Sequence, residues 1–187
     1  MKKKKKQPGL QDLLNRYKNI NMPQDYKTLM ADYIRFIWKW ITPINHALDD
    51  RIRVEQLNIK ATAAHMKKFS TYDKHIQQLC WIRDTAVVLL SYIVYIGVHV
   101  PNKKSLKDFY DLKDVIENAL IDRMVVIGRY KRSFLNGEKF SLKGAKVPMD
   151  CLKIQHLESW PEEAINAAAF VNGQTIMGLR AYIKEKL

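Results

Sequence analysis

The most concentrated chemistry in this sequence is a basic stretch between positions 123 and 146. Tyr130, Phe134 and Phe140 are interleaved with its cations. Cations that follow a phosphate backbone and rings that cover a base or sugar are typical of nucleic-acid binding. The alternative is that Tyr130 and Phe134 continue the core stripe of a helix whose solvated face holds the cations. The stretch contains one acid, Glu138, and seven cations, namely Arg123, Arg129, Lys131, Arg132, Lys139, Lys143 and Lys146.

The net charge of the chain, +13, is concentrated in two places. The basic stretch carries a local net of +6 and the lysine run of residues 2–6 adds +5, which leaves only +2 for the rest. A solvated protein surface normally carries charges of both signs, so a surface with positive charges only suggests a polyanionic partner. The lysine run is less specific, because it suits a phosphate contact, a membrane surface or solubility equally well. We predict a regulatory or accessory protein that binds nucleic acid, with DNA favoured, through Arg129, Lys131, Arg132, Lys139, Lys143 and Lys146.

A second candidate for nucleic-acid recognition lies in residues 159–187, where two helices are predicted around an Asn-Gly turn. Ala169 and Gly173, with apolar residues beyond them, have the spacing of a helix-turn-helix. Asn172 stands where such a motif usually has an apolar residue, and an ordinary pair of antiparallel helices explains the pattern equally well. The exposed residues of the last helix that could read base edges are Gln174, Thr175 and Arg180.

Signatures of catalysis and metal binding are absent from the sequence. No two histidines have metalloprotease spacing, and neither a glycine-rich phosphate loop nor a nucleophile elbow occurs. Cys80 and Cys151 lie far apart with no Cys or His at ligand spacing, so no zinc site or disulfide framework is indicated. We therefore predict no enzymatic activity, no metal and no cofactor.

The tryptophans support a different class of function. There are four of them, more than one small helical core usually requires. Trp38 and Trp40 cannot both face inward along a helix whose stripe already includes Ile37 and Ile41, so we expect one of them to be exposed or in an interface. The alternative to nucleic-acid binding is thus an adaptor or assembly subunit, a homodimer or part of a larger assembly, whose basic regions meet an acidic protein or maintain solubility.

Helical periodicity organises the chain around one apolar segment, residues 70–97. Ser70 and Asp73 resemble a helix start, and nearly every position from Ala86 onward is apolar. Gly97 and Pro101 are typical of a helix end. Because a helix that is apolar all round must be surrounded, we predict an all-α fold in which a single bundle-like domain, residues 10–187, packs around this central helix. Residues 1–9 are predicted to be a disordered basic tail.

Breakers and spacing predict the neighbouring elements. A short amphipathic helix starts at Leu10, a second helix is ended by Pro43, and a third covers residues 45–69. Ser105 and Asp108 predict the start of a long helix that runs to the Asn-Gly pair at 136–137. Residues 138–158 lose the helical period and predict a small irregular or hairpin-like insertion.

The predicted location is the cytoplasm. The N-terminal lysines are followed by polar residues, with no apolar segment of a secretory signal. The most apolar run, residues 86–100, is shorter than the roughly 20 residues that a membrane span requires.

Overall fold

The computed structural model describes residues 9–57 and 62–139. Four helices account for most of them: α1 (Leu10–Lys18), α2 (Gln24–Leu57), α3 (Ala63–His99) and α4 (Lys103–Asn136). The described ranges contain no strand, and the helices pack as a bundle, so the predicted all-α fold is confirmed. The predictions for residues 1–8, for residues 140–158 and for the helix pair of residues 159–187 lie outside the described residues.

Helix α2 continues through Pro43, where we expected a helix to end. Proline lacks an N–H group and removes one hydrogen bond of a helix interior. Apolar side chains are nevertheless buried on both sides of it, Ile37 and Ile41 before it and Ile44 after it. Because tertiary packing outweighs the local preference, the helix predicted for residues 45–69 is wrong. Its first part is the end of α2 and its last part is the start of α3.

Helix α3 begins well before the predicted start at Ser70. The N–H group of His65 donates to the hydroxyl of Thr62 at 3.4 Å, as at a helix start. Asp73, which we assigned to a capping position, instead accepts a hydrogen bond from Arg51 Nε of α2 at 2.6 Å. A carboxylate can cap a helix or pair with an arginine. Here α2 places Arg51 within hydrogen-bonding distance, so Asp73 pairs with the arginine.

Gly97 lies inside α3 and does not end it. A Cβ atom added at Gly97 would lie 3.0 Å from Cδ1 of Tyr26, so this glycine allows α2 and α3 to approach closely. The Tyr26 hydroxyl donates to the carbonyl of Asn102 at 2.8 Å. Asn102 Oδ1 accepts the N–H group of Ser105 at 2.8 Å, so Asn102 caps α4 in place of the predicted pair Ser105 and Asp108.

The chain forms two compact units, and α2, α3 and α4 contribute to both. Within the described ranges the first unit contains residues 9–39 and 86–113. The part of α3 from Ala86 to Gly97 is buried at nearly every position, as the sequence predicts, and Val98 and His99 at its end are exposed. The Tyr33 hydroxyl of α2 donates to the carbonyl of Phe109 of α4 at 2.5 Å. Fully buried side chains in this unit are Leu29, Tyr33, Leu89, Ile93 and Phe109.

The second unit contains residues 40–57, 62–85 and 114–139 of the described ranges. Here α3 runs antiparallel to α4, with Lys68 against Ser133 and the ring of Tyr72 against that of Tyr130. All three long helices supply fully buried side chains, namely Ile44, Val54, Tyr72, Leu79, Ile82, Ile116 and Leu120. A single domain over residues 10–187 stays a prediction.

Helix α3 is longer than we predicted and has the length and composition of a membrane-spanning helix. Its most apolar window has a mean hydropathy of 1.6, and no other helix within the described ranges is both long and apolar enough to cross a membrane. The core helices of water-soluble proteins can have the same length and composition, and 67% of this window is buried inside the protein. A cytoplasmic protein without a membrane span therefore stays a prediction.

Candidate nucleic-acid interface

The start of α3 meets the end of α4 in the second unit and brings two groups of cations together. Lys68 Nζ donates a hydrogen bond to Ser133 Oγ at 2.5 Å and lies 4.5 Å from the centre of the Phe134 ring. The ring of His65 contacts the same ring at 5.9 Å between centroids. We call the resulting set the basic end, and its members are Lys67, Lys68, Arg129, Lys131, Arg132 and Lys139.

Two members of the basic end, Lys67 and Lys68, are not among the residues that the sequence predicts for this surface. They lie far from the basic stretch along the chain, and the antiparallel packing of α3 on α4 places them beside it. A signal for this exists in the sequence, because Lys68 and Ser133 are nearly equidistant from Pro101. Two antiparallel helices joined by a short turn bring such positions together.

Acidic side chains offset two of the predicted cations. Lys131 Nζ lies 2.6 Å from Asp50 Oδ2 of α2, and Arg132 Nε lies 3.3 Å from Glu138 Oε2. Both side chains of the second pair are about half exposed, so this pair contributes little to stability. A phosphate could therefore replace Glu138. With these two acids counted, the basic end keeps a net charge of +4.

A second charged cluster lies beside Phe69, whose ring contacts that of Phe134 at 6.4 Å between centroids. Arg51 Nε lies 2.6 Å from Asp73 Oδ1, and Arg51 Nη1 lies 2.7 Å from Glu55 Oε2. These contacts raise the pKa of Arg51, chiefly through the hydrogen bond to Asp73. The cluster, which consists of Arg51, Asp73 and Glu55, carries a net charge of −1. Helix α2 thus supplies acids that partly offset the single-signed charge of the basic stretch.

Arg123 belongs to the basic stretch but is not part of this surface, since it is only 5% exposed. Its Nη1 donates to His75 Nδ1 at 3.0 Å and to Gln78 Oε1 at 3.1 Å. Its Nη2 lies 3.3 Å from Asp122 Oδ2. An arginine held in this way joins α4 to α3 inside the protein and has no access to a polyanion.

The rings of the basic stretch are part of the packing. Tyr130 is buried, and its ring contacts those of Tyr72 and His75. Phe134 packs against Phe69 and Tyr72, and Lys68 lies over it. The alternative in which these rings continue a core stripe is therefore confirmed, and they are not available for stacking on bases. Phe140 lies outside the described residues.

The other predicted site residues divide into two groups. Trp38 and Trp40 are both half-buried, and the expectation that one of them is exposed or in an interface stays a prediction. Among the three tryptophans within the described ranges, the exposed one is Trp81 of α3, at 46%. The remaining predicted residues, which lie outside the described ranges, are Lys143, Lys146, Gln174, Thr175 and Arg180.

Comparison of the chain with family models, curated proteins and solved structures found no match. Function is therefore inferred from the geometry of the second unit. Within residues 9–57 and 62–139, no group of three or more His, Cys, Asp or Glu side chains could hold a metal ion. The absence of enzymatic activity and of cofactors stays a prediction.

We predict that the stability of the protein falls when the pH is lowered from about 6.5, the ordinary pKa of histidine. Burial, and then the charge of Arg123, hold the pKa of His75 below this value in the folded state. The unfolded chain therefore binds more protons just below pH 6.5, and stability rises with pH in that range. The midpoint of urea unfolding, measured between pH 5 and 8, should shift less in His75→Gln than in wild type.

The exposed His46 provides the matched control for this prediction. His46→Gln removes one imidazole in the same way but leaves the contact between His75 and Arg123 in place. An identical profile for wild type and His75→Gln would show that the contact between His75 and Arg123 does not couple folding to this proton.

Proposed function

We propose that this protein binds nucleic acid, duplex DNA in the first place, through the basic end, in a non-enzymatic accessory or regulatory role. The observation that supports it is the hydrogen bond between Lys68 and Ser133, which joins the start of α3 to the end of α4. This junction places Lys67 and Lys68 beside the cations of the basic stretch and keeps the local charge positive after Asp50, Glu138 and the cluster around Arg51 are counted.

The chemistry of the basic end favours contact with phosphates over contact with bases. Lysine and arginine neutralise phosphates and release counterions, which supplies most of the affinity of non-specific binding. The rings that would stack on bases are packed against one another, as described for Tyr130 and Phe134. We therefore expect binding that depends strongly on salt and weakly on sequence.

The test is the anisotropy of labelled duplex DNA titrated with the full chain over a series of salt concentrations. Lys67 and Lys139 are exposed, so Lys67→Glu combined with Lys139→Glu changes the basic end without disturbing the core. On duplex DNA, the log–log salt slope should become shallower by about 1 for each lost phosphate contact. The affinity should fall by a similar factor on unrelated sequences.

A matched control exists in the first unit, at the start of α4. Lys103→Glu combined with Lys104→Glu makes the same change in charge at two exposed positions outside the basic end. Both pairs are also compared without residues 1–8, which removes the lysine run. Equal loss of binding in the two double variants, or binding that disappears with residues 1–8 alone, would contradict a role for the basic end.

A second candidate function is docking to another protein, and the exposed Trp81 favours it. Large aromatic side chains are enriched at the centre of protein interfaces. The half-buried Trp38 and Trp40 are weaker candidates. If docking is the function, Trp81→Ala should abolish it while charge reversal at the basic end leaves it intact.

A further inference from the structure

Helix α4 carries an exposed stripe on the face that is turned away from the core of the second unit. Its apolar members Ile121, Val125 and Leu135 are between 44% and 47% exposed. Gly128 and Arg132 complete a series with alternating steps of four and three residues. This is the spacing with which one helix presents a continuous face to another. We call these five residues the α4 seam.

Gly128 lies at the middle of the α4 seam. A glycine inside a helix costs roughly 0.5–1 kcal/mol relative to alanine, so its presence calls for a reason. Gly97 has one, since Tyr26 leaves no room for a Cβ atom there. A Cβ atom added at Gly128 would meet no atom of the described residues within 4 Å. The space that the missing side chain leaves open faces outward, where it permits close approach of another backbone.

The charge of α4 changes sign along the seam. Asp114 and Glu117 lie before it, and Arg129 and Arg132 lie at its end. A second α4 that ran antiparallel would set the acidic part of each copy against the basic part of the other. A parallel copy would set like charges together, which is unfavourable.

We propose that the α4 seam is the contact surface of a homodimer in which the two α4 helices pack antiparallel. In the register that sets Val125 of one copy beside Ile121 of the other, Arg132 faces Asp114 and Arg129 faces Glu117. A two-fold axis makes every such contact occur twice. The exchange of Glu138 for Asp114 as the partner of Arg132 gives up a pair that is about half exposed and so contributes little. Asp114, Glu117 and Arg129 also have interactions within the chain, and the dimer contacts add to these or replace them.

Trp81 of α3 lies at the height of the seam along the helix pair. The antiparallel register that sets Tyr72 against Tyr130 and Lys68 against Ser133 places Trp81 at the level of Ile121. Both side chains are exposed. Tryptophan is enriched at protein interfaces, so a dimer contact that reached Trp81 would gain area.

The test is sedimentation of the full chain without nucleic acid, over a wide range of protein concentration. The wild type should show a reversible equilibrium between monomer and dimer. Val125→Glu should weaken the dimer by roughly tenfold or more, because it sets two carboxylates in the apolar part of the seam. The helix content of this variant, measured by circular dichroism, should stay unchanged because Val125 is exposed.

Charge exchange tests the antiparallel register itself. Arg129→Glu combined with Arg132→Glu should weaken self-association, and so should Asp114→Lys combined with Glu117→Lys. An equimolar mixture of the two double variants should form a heterodimer. Lys103→Glu combined with Lys104→Glu, outside this register, should dimerise like the wild type.

A wild type that stays monomeric at every concentration would overturn the proposal. A wild-type dimer whose charge-exchanged mixture stays monomeric would overturn it equally. Arg129 and Arg132 belong to both the seam contacts and the basic end, so nucleic-acid binding is measured separately with substitutions at Lys67 and Lys139, which lie outside the seam.

Discussion

Replacing Arg123 by alanine is expected to lower the free energy of unfolding by about 3–5 kcal/mol, the usual cost of breaking a buried charged contact from one side. Arg123 is nearly inaccessible to solvent and donates hydrogen bonds from one nitrogen to His75 and Gln78. Its removal leaves the carboxylate of Asp122 without the guanidinium that lies 3.3 Å away. It also opens a cavity between α3 and α4. Urea unfolding followed by circular dichroism measures the loss.

Two further variants separate the contributions of charge and packing. Arg123→Met keeps an apolar stem of similar length, so it should lose less stability than Arg123→Ala. Arg53→Ala removes an exposed arginine whose ion pair with Asp50 is 4.0 Å long, and it should cost under about 1 kcal/mol. If Arg123→Ala cost no more than Arg53→Ala, the network between α3 and α4 would not contribute to stability.

Tyr33→Ala is expected to have a similar effect in the first unit, a loss of about 3–5 kcal/mol. The side chain is fully buried and its ring packs edge-on against Phe36, with 6.5 Å between centroids. Its hydroxyl donates to the carbonyl of Phe109 at 2.5 Å and so ties α2 to α4. Truncation removes both the ring and the hydrogen bond, and thermal or urea unfolding reports the sum.

The conservative variant Tyr33→Phe isolates the hydroxyl group. It keeps the ring, so the expected loss is roughly 1–2 kcal/mol, the cost of one buried hydrogen bond. Similar losses for Tyr33→Phe and Tyr33→Ala would mean that the ring contributes nothing. No loss for Tyr33→Phe would mean that the hydrogen bond to Phe109 is not formed.

The network around Arg123 also limits how the basic stretch can function. Of its cations within the described residues, Arg123 is committed to the core, and Lys131 and Arg132 have acidic neighbours. The surface that remains gains Lys67 and Lys68 from α3. A substitution series restricted to the basic stretch would therefore mix loss of fold with loss of binding, and exposed positions on both helices separate the two.

The sequence by itself determined that the protein is all-α, and it predicted the buried part of α3 and the end of α4. The apolar character of α3 from Ala86 to Gly97 predicts a buried central helix, and burial at nearly every position confirms it. The Asn-Gly pair at 136–137 predicts the end of α4, where Gly137 has a φ angle of 70°. These features depend on neighbours within a few residues, so a linear pattern contains them.

Only the tertiary structure decided how those helices continue and what their charged residues contact. Pro43 lies inside α2 because packing on both sides outweighs its local cost. Asp73 pairs with Arg51, and Asp50 with Lys131, across distances in sequence that no spacing rule covers. Arg123 and Lys131 look alike in the sequence, yet one is buried and the other half exposed. Contacts between helices set these differences, because burial and pairing depend on which faces meet.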